Sequence, residues 1–313
     1  MNAMTADRVK AVVLVVAAAA APLVLGNYGH FIVASVLIYF LIALSLNILI
    51  GMAGQISIGH AGFWALGAYG SALVVTKIGA PFLVGVLAGG LIAAVFGALV
   101  ALPALRVQGH YLAIATLSFA ILVQQVLFEW ESLTGGRQGL AVPRPEILGY
   151  VLEEDRAYIY VLIVIATGFA WATENLRRSH SGRSLMMLKA SPIAAQMSGI
   201  NRARQLIVAF AASAFLMGVS GALYAHLIGF LSTETFALGA SLSFLCMAVI
   251  GGLNSYIGAL LGALYLALAP EAFRELKDAQ MVVYGVALIL CMRFLPGGLA
   301  SLPDVIRRLW GRK

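Results

Sequence analysis

Apolar runs long enough to cross a bilayer recur along the chain, near 11–27, 31–50, 57–76, 82–104, 110–130, 157–174, 205–229 and 280–300. About 20 residues of helix span the hydrocarbon, and within it every backbone N–H and C=O needs an internal partner. Such runs read as transmembrane helices. One further run, 239–269, is too long for a single helix and is broken at Gly251-Gly252-Leu253-Asn254-Ser255. It reads as two short spans, which brings the count to ten.

Composition agrees. The chain is 313 residues long, 62% hydrophobic and only 11% charged, with a mean hydropathy of +0.97. A soluble domain could not cover its surface with so few charges. The expected fold class is therefore an all-α polytopic membrane protein, residues 1–313 forming one transmembrane domain. The net charge of +7 raises nucleic acid as a partner, but no basic face with interleaved aromatics exists, so lipid is the expected surroundings. Cys246 and Cys291 sit inside apolar runs, where a thiol acts as a small hydrophobe.

Charge asymmetry orients the spans. Ten spans with both termini inside put Arg8, Lys10, Arg106, the basic residues of 174–204, Arg293 and the C-terminal arginines and lysine on one side, opposed only by Asp7, Glu174 and Asp304. On the other side, acids outnumber Lys77, Arg137, Arg144, Arg156, Arg274 and Lys277. Nine spans would put the basic C-terminus outside. The N-terminus has the residue order of a signal peptide, but its removal would spoil this parity, so it reads as the first span. The long polar excursion outside is 129–156, a lid or docking surface rather than a domain.

Two segments interrupt spans with glycine and polar residues. The first runs from Ile50 to His60 and contains Gly51, Gln55, Ser57 and Gly59; the second runs from Ile250 to Gly258 and contains Gly251, Gly252, Asn254 and Ser255. Each follows an apolar run and precedes a glycine-rich one, a weak internal repeat. Paired interruptions of this kind point to a transport pathway, although glycine also serves close helix packing. These eight residues are the candidate pathway, with Tyr111 and Thr116 as neighbours.

No GxxxxGK[ST] phosphate loop, HExxH, CxxC or GxSxG motif occurs. The chain is expected to be no enzyme, to hold no cofactor or metal, and to bind no ATP in the usual cradle. His30, His60, His110, His180 and His226 are scattered and read as packing or helix-end residues. The span centres carry almost no charge, which disfavours a proton- or sodium-coupled carrier; a stand-alone channel or secondary carrier stays open as an alternative.

The loop 174–204 has room for two short helices at the membrane surface. Ser191-Pro192 reads as an N-cap with proline at the first helical position, and Gly199 as the terminator of the short helix that follows. Positive-inside bias explains the arginines of this loop but not its small residues Ala194, Ala195 and Gly199, which let another protein approach the backbone closely.

IAAQMSGI (193–200) resembles the cytoplasmic EAA-x3-G loop of ABC importer permeases. The stretches 51–74, 105–120, 132–140, 182–200, 214–236 and 249–271 are similar in content and order to LivM-type permeases of branched-chain amino acid importers. Two departures are Ile193 in place of the glutamate opening the loop motif, and Tyr256 where a proline is expected nearby. The resemblance implies a transport subunit of the bacterial inner membrane without chemistry of its own, its 174–204 loop docking an ATPase through Arg183, Ala194, Ala195 and Gly199. It implies as partners a LivH-type second permease, two cytoplasmic ATPase subunits and a periplasmic substrate-binding protein. Branched-chain or related amino acids are the expected cargo, with urea, short amides and other small organic solutes as alternatives.

Overall fold

A computed structural model describes residues 22, 26–107, 109–147, 150–151, 155–272, 285–286, 289, 293 and 297–302. In chain order the helices are α1 (Asn27–Leu46, continued by a π turn at Asn47–Met52), α2 (His60–Ile78), α3 (Phe82–Ala104), α4 (His110–Glu129), the one-turn α5 (Glu131–Thr134), α6 (Asp155–Arg178), α7 (His180–Ala190), α8 (Pro192–Met197), α9 (Arg202–Ile228), α10 (Leu238–Gly251) and α11 (Tyr256–Ala272). The molecule is an all-α polytopic membrane protein. Among the described residues six helices are long and apolar enough to cross a membrane, and the stretches Leu238–Gly251 and Tyr256–Ala269 are shorter apolar helices. These eight coincide with eight of the expected spans. The first and last expected spans lie largely outside the described residues.

Small residues decide how the helices pack. On α3 a stripe at every fourth position, Gly85, Gly89, Ala93, Gly97 and Ala101, is buried, while Leu83, Leu87, Leu91, Val95 and Leu99 form the exposed stripe beside it. Both stripes follow the helical period. Without a hydrophobic force between helices in lipid, close backbone approach supplies the contact energy, so the glycine stripe faces protein and the leucine stripe faces outward. It meets α2 and α9 at one centre: a methyl group added at Gly67 would collide with the Gly218 carbonyl, and one at Gly89 with the Gly67 carbonyl. Around this trio, α1 packs on α6, α9 and α11, and α10 packs on α11.

Outside the spans, Leu140–Ala141 pairs antiparallel with Phe230–Leu231, tying the 129–156 excursion to the end of α9. His226 reaches the same excursion: its Nδ1 lies 3.0 Å from the Pro143 carbonyl and its Nε2 3.2 Å from Ser71 Oγ. Two buried apolar clusters result. The larger one runs through the helix bundle. The smaller gathers Ile48, Leu49, Met52 and Ala53 with Ala101, Ala104, Leu112, Leu206, Ala209, Phe210 and Leu216, together with Leu185 from the 174–204 loop.

Candidate functional site

The first interruption begins before its glycines. From Asn47 the helix widens into a π turn, with the Ala53 amide reaching the Ile48 carbonyl at 3.1 Å; π turns of this length are rare and concentrate at functional sites. Residues 53–59 then run without helix, Gly54 adopting a left-handed φ of 67°. The freed polar groups find partners inside the chain. The Gln55 amide donates to the Leu49 carbonyl at 3.0 Å, and its side chain to the Ala53 carbonyl at 3.2 Å. The Ile58 amide donates to Thr116 Oγ1 at 3.1 Å, and Gly59 to Ser57 Oγ at 3.3 Å. Ser57, Gly59 and Thr116 are buried, Gln55 is half-buried and Tyr111 is exposed.

At the second interruption α10 and α11 form a hairpin closed through glycine. A methyl at Gly251 would strike the Gly258 carbonyl, and one at Gly262 the Met247 carbonyl. The four residues between the helices turn through Gly252 (φ 109°) and Asn254, the one described non-glycine residue with positive φ (66°). Ser255 caps α11, its Oγ accepting the Gly258 amide at 3.2 Å.

The two interruptions touch. Asn47, buried in the π turn, accepts the Asn254 amide on Oδ1 at 3.2 Å, and its Nδ2 donates to the Ser255 carbonyl at 3.5 Å. Gly51 leaves room for the Asn254 side chain: a Cβ there would sit 2.6 Å from Asn254 Oδ1. Of the expected pathway residues, the structure thus brings Gly51, Asn254 and Ser255 into one junction, sets Gly59 against Thr116 of α4, leaves Gln55 and Ser57 bonded within the first interruption, and gives Gly251 and Gly252 backbone-packing and turning roles. Asn47 was missed. Nothing local marks it, since an asparagine near the end of an apolar run is a common helix-end residue.

A second polar cluster lies where α1, α2 and α9 meet. Ser45 Oγ donates to the Ser213 carbonyl at 2.8 Å, Ser213 Oγ donates to the Ser45 carbonyl at 3.0 Å, and His60 Nε2 lies 3.3 Å from Ser213 Oγ. The Ala61 amide donates to Ser241 Oγ at 3.1 Å, joining the start of α2 to α10.

The 174–204 loop folds as α7 and α8 and is built into this region. Gly182 makes the turn from α6 possible, since any Cβ there would meet the Leu176 carbonyl. Leu185 and Leu188 are buried, Leu185 in the cluster that surrounds the π turn. From the last turn of α7, Lys189 Nζ donates to the Gly51 carbonyl at 2.7 Å and to Ile50 at 3.4 Å. Lys189 is exposed as a whole residue, and partial desolvation where its amine meets these carbonyls lowers the amine from the usual lysine range. At the end of α6, Glu174 takes a bidentate contact from Arg177 (2.7 and 2.8 Å), a further contact from Arg178, and the Tyr256 hydroxyl at 2.7 Å. Tyr256, beside which the resemblance leads one to expect a proline, thus joins the start of α11 to the end of α6.

Ser191 caps α8, its Oγ accepting the Ala194 amide at 3.3 Å, with Pro192 at the first helical position and Gly199 beyond the end at φ 80°. Arg183 is exposed and donates to the Arg178 carbonyl at 3.1 Å. Ala194 and Gly199 are exposed, whereas Ala195 is fully buried. Ile193 (75% exposed) and Met197 (86% exposed) give the outer surface of α8 an apolar character.

Residues 30–292 match the family described as branched-chain amino acid transport system / permease component. The chain is 30% identical over 313 residues to the high-affinity branched-chain amino acid transport system permease protein LivM of Escherichia coli (strain K12), covering 92% of this chain and 73% of that protein. LivM of Salmonella typhimurium is 30% identical over 311 residues, covering 91% and 73%. The corresponding LivH protein of Escherichia coli (strain K12) is 26% identical over 291 residues, covering 85% of this chain and 92% of its own length. No solved structure matches the chain.

Proposed function

This chain belongs to the family of permease components of branched-chain amino acid transport systems, and we propose that it is the LivM-type half of a permease pair in an ATP-driven importer. Likeness to both LivM and LivH supports pairing with a LivH-type second permease. Two cytoplasmic ATPases would bind the 174–204 loop, and a periplasmic binding protein would deliver branched-chain amino acids to the opposite face. The inside excess of basic residues supports this orientation, with both termini cytoplasmic.

The observation that carries the reading is the way the loop is seated. Leu185 plugs the apolar cluster around the π turn, and the outer face of α8 is left free and apolar. ATP favours the state in which the ATPases close, the binding protein favours the state open to it, and the loop shifts the permease between the two. Each ligand moves the equilibrium only by its differential affinity for the two states. Arg183, Ala194 and Gly199 would contribute to the docking surface, with Ala195 shaping it from within. The pathway would run by the junction of the two interrupted helices, with Gln55, Asn254 and Ser255 as its polar groups.

The test uses the complete importer in proteoliposomes with leucine as the probe. Ala194→Arg adds bulk to an exposed position without an internal clash. Uptake and ATPase association are expected to fall by at least about tenfold, the equivalent of ~1.4 kcal/mol, with insertion unchanged. Undiminished uptake would overturn the docking role, and leucine flux through the purified chain alone would establish a stand-alone channel or carrier instead.

A further inference from the structure

Where a helix stops, its last carbonyls lose their intrahelical donors, and a buried carbonyl is costly to leave unmet. The π turn ending at Met52 has this problem: the Ala53 and Gln55 amides serve Ile48 and Leu49, and the next carbonyls in line are Ile50 and Gly51. Both take their donor from Lys189 of α7, 138 residues further on at Gly51. A cation at a helix C-terminus is also the favoured sign. The lysine stem lies against Gly54, where a Cβ would come within 2.7 Å of Lys189 Cγ.

The contact closes a ring. From α7 the ring passes through Lys189 to Gly51, across to Asn254 and α11, from Tyr256 to Glu174, and along the end of α6 back through Gly182 into α7. Displacement of α7 therefore either drags the Gly51 carbonyl or breaks its cap. The π turn is the element such a displacement would act on: its i→i+5 bonding holds one more residue in the hydrogen-bonded ring than α-helical bonding, so a return to α would rotate the backbone that follows by about 100°.

Resting on the importer reading above, we propose that Lys189 is the positioning residue through which movement of α7 reaches the helix interruption at Gly51–Gly54 and resets the junction with Asn254. Its amine is spent on the Ile50 and Gly51 carbonyls. It sets the position of the backbone that borders the pathway.

The experiment uses the full importer with leucine as cargo. An Ile56→Cys reporter is placed in a Cys246→Ala, Cys291→Ala background; Ile56 is 47% exposed within the non-helical stretch 53–59. A water-soluble maleimide reads its labelling rate with and without ATP. Lys189→Met keeps the stem and removes the donors. It is expected to leave ATPase association and ATP hydrolysis in place, to lower leucine moved per ATP by at least about fivefold, the small end of ordinary coupling between sites, and to abolish the ATP dependence of labelling. Lys189→Arg, which restores a cationic donor, should recover both. If Lys189→Met fails to insert, Lys189→Gln is read in its place by the same two measurements.

An unchanged transport ratio together with intact ATP-dependent labelling overturns the proposal, as does loss of ATPase association, which would make Lys189 a docking residue. Absence of ATP-dependent leucine uptake by the unmodified importer overturns the importer reading itself, a result distinguishable from either of these.

Discussion

Asn47 Oδ1 accepts the backbone amide of Asn254 at 3.2 Å, joining two helix interruptions that lie 207 residues apart in the chain. The bond involves a side chain of the π turn and a residue held in the left-handed region. Each interruption is closed largely by its own local bonds, and this one joins the two.

Replacing Asn47 with leucine keeps the branched shape, though not the volume, and removes both bonds to the second interruption. Membrane hydrogen bonds of this type are worth about 1 kcal/mol, so the chain should insert and melt only slightly earlier in detergent. Leucine uptake by the assembled importer should fall far more than this loss of stability accounts for. Equal, small effects on both would reduce Asn47 to an ordinary packing residue.

Gly67→Ala tests the meeting point of α2, α3 and α9. The new methyl would collide with the Gly218 carbonyl, and overpacking of this kind costs about 1–3 kcal/mol. Gly168→Ala in α6 is the control, because no atom lies within 4 Å of its added methyl; it should be neutral or stabilising by up to ~1 kcal/mol. Thermal unfolding in detergent should come earlier for Gly67→Ala and no earlier than the unmodified chain for Gly168→Ala.

Tyr256→Phe removes the 2.7 Å bond to Glu174, a hydrogen bond to a charged group worth about 1.5–3 kcal/mol when buried and less here, where Glu174 is partly accessible. Glu174→Gln also removes the charge that Arg177 and Arg178 pair with. In a double-mutant cycle the two losses should be sub-additive. Strict additivity would mean that α6 and α11 are not joined through this pair.

Ala195→Arg should behave unlike Ala194→Arg. Residue 195 is completely buried and residue 194 exposed, so the first change should unseat α8 and lower the yield of inserted protein, while the second should spare it. Fluorescence size-exclusion profiles of the two variants give the comparison directly.

Much of this architecture was legible because lipid imposes it residue by residue. Eight expected spans are helices, the run 239–269 divides at 252–255, and Ser191, Pro192 and Gly199 delimit α8 as their capping chemistry requires. Each of these features depends on the length of an apolar run or on a side chain within four residues of its partner. The candidate site was less legible. Its glycines and polar residues stood out, but Asn47, Lys189 and the Glu174–Tyr256 pair did not, and Ala195 proved to be turned inward.

The sequence by itself determined that this chain crosses the membrane many times, where its helices are interrupted, and which loop carries the basic charge and the small residues. Local propensity, capping and the cost of an unpaired backbone in lipid are enough for that. Only the tertiary structure decided that the interruptions meet at Gly51 and Asn254, and that the basic loop reaches them through Lys189. Those contacts depend on how glycine-lined helices approach one another in space, and hydropathy carries no record of which distant segments that packing brings together.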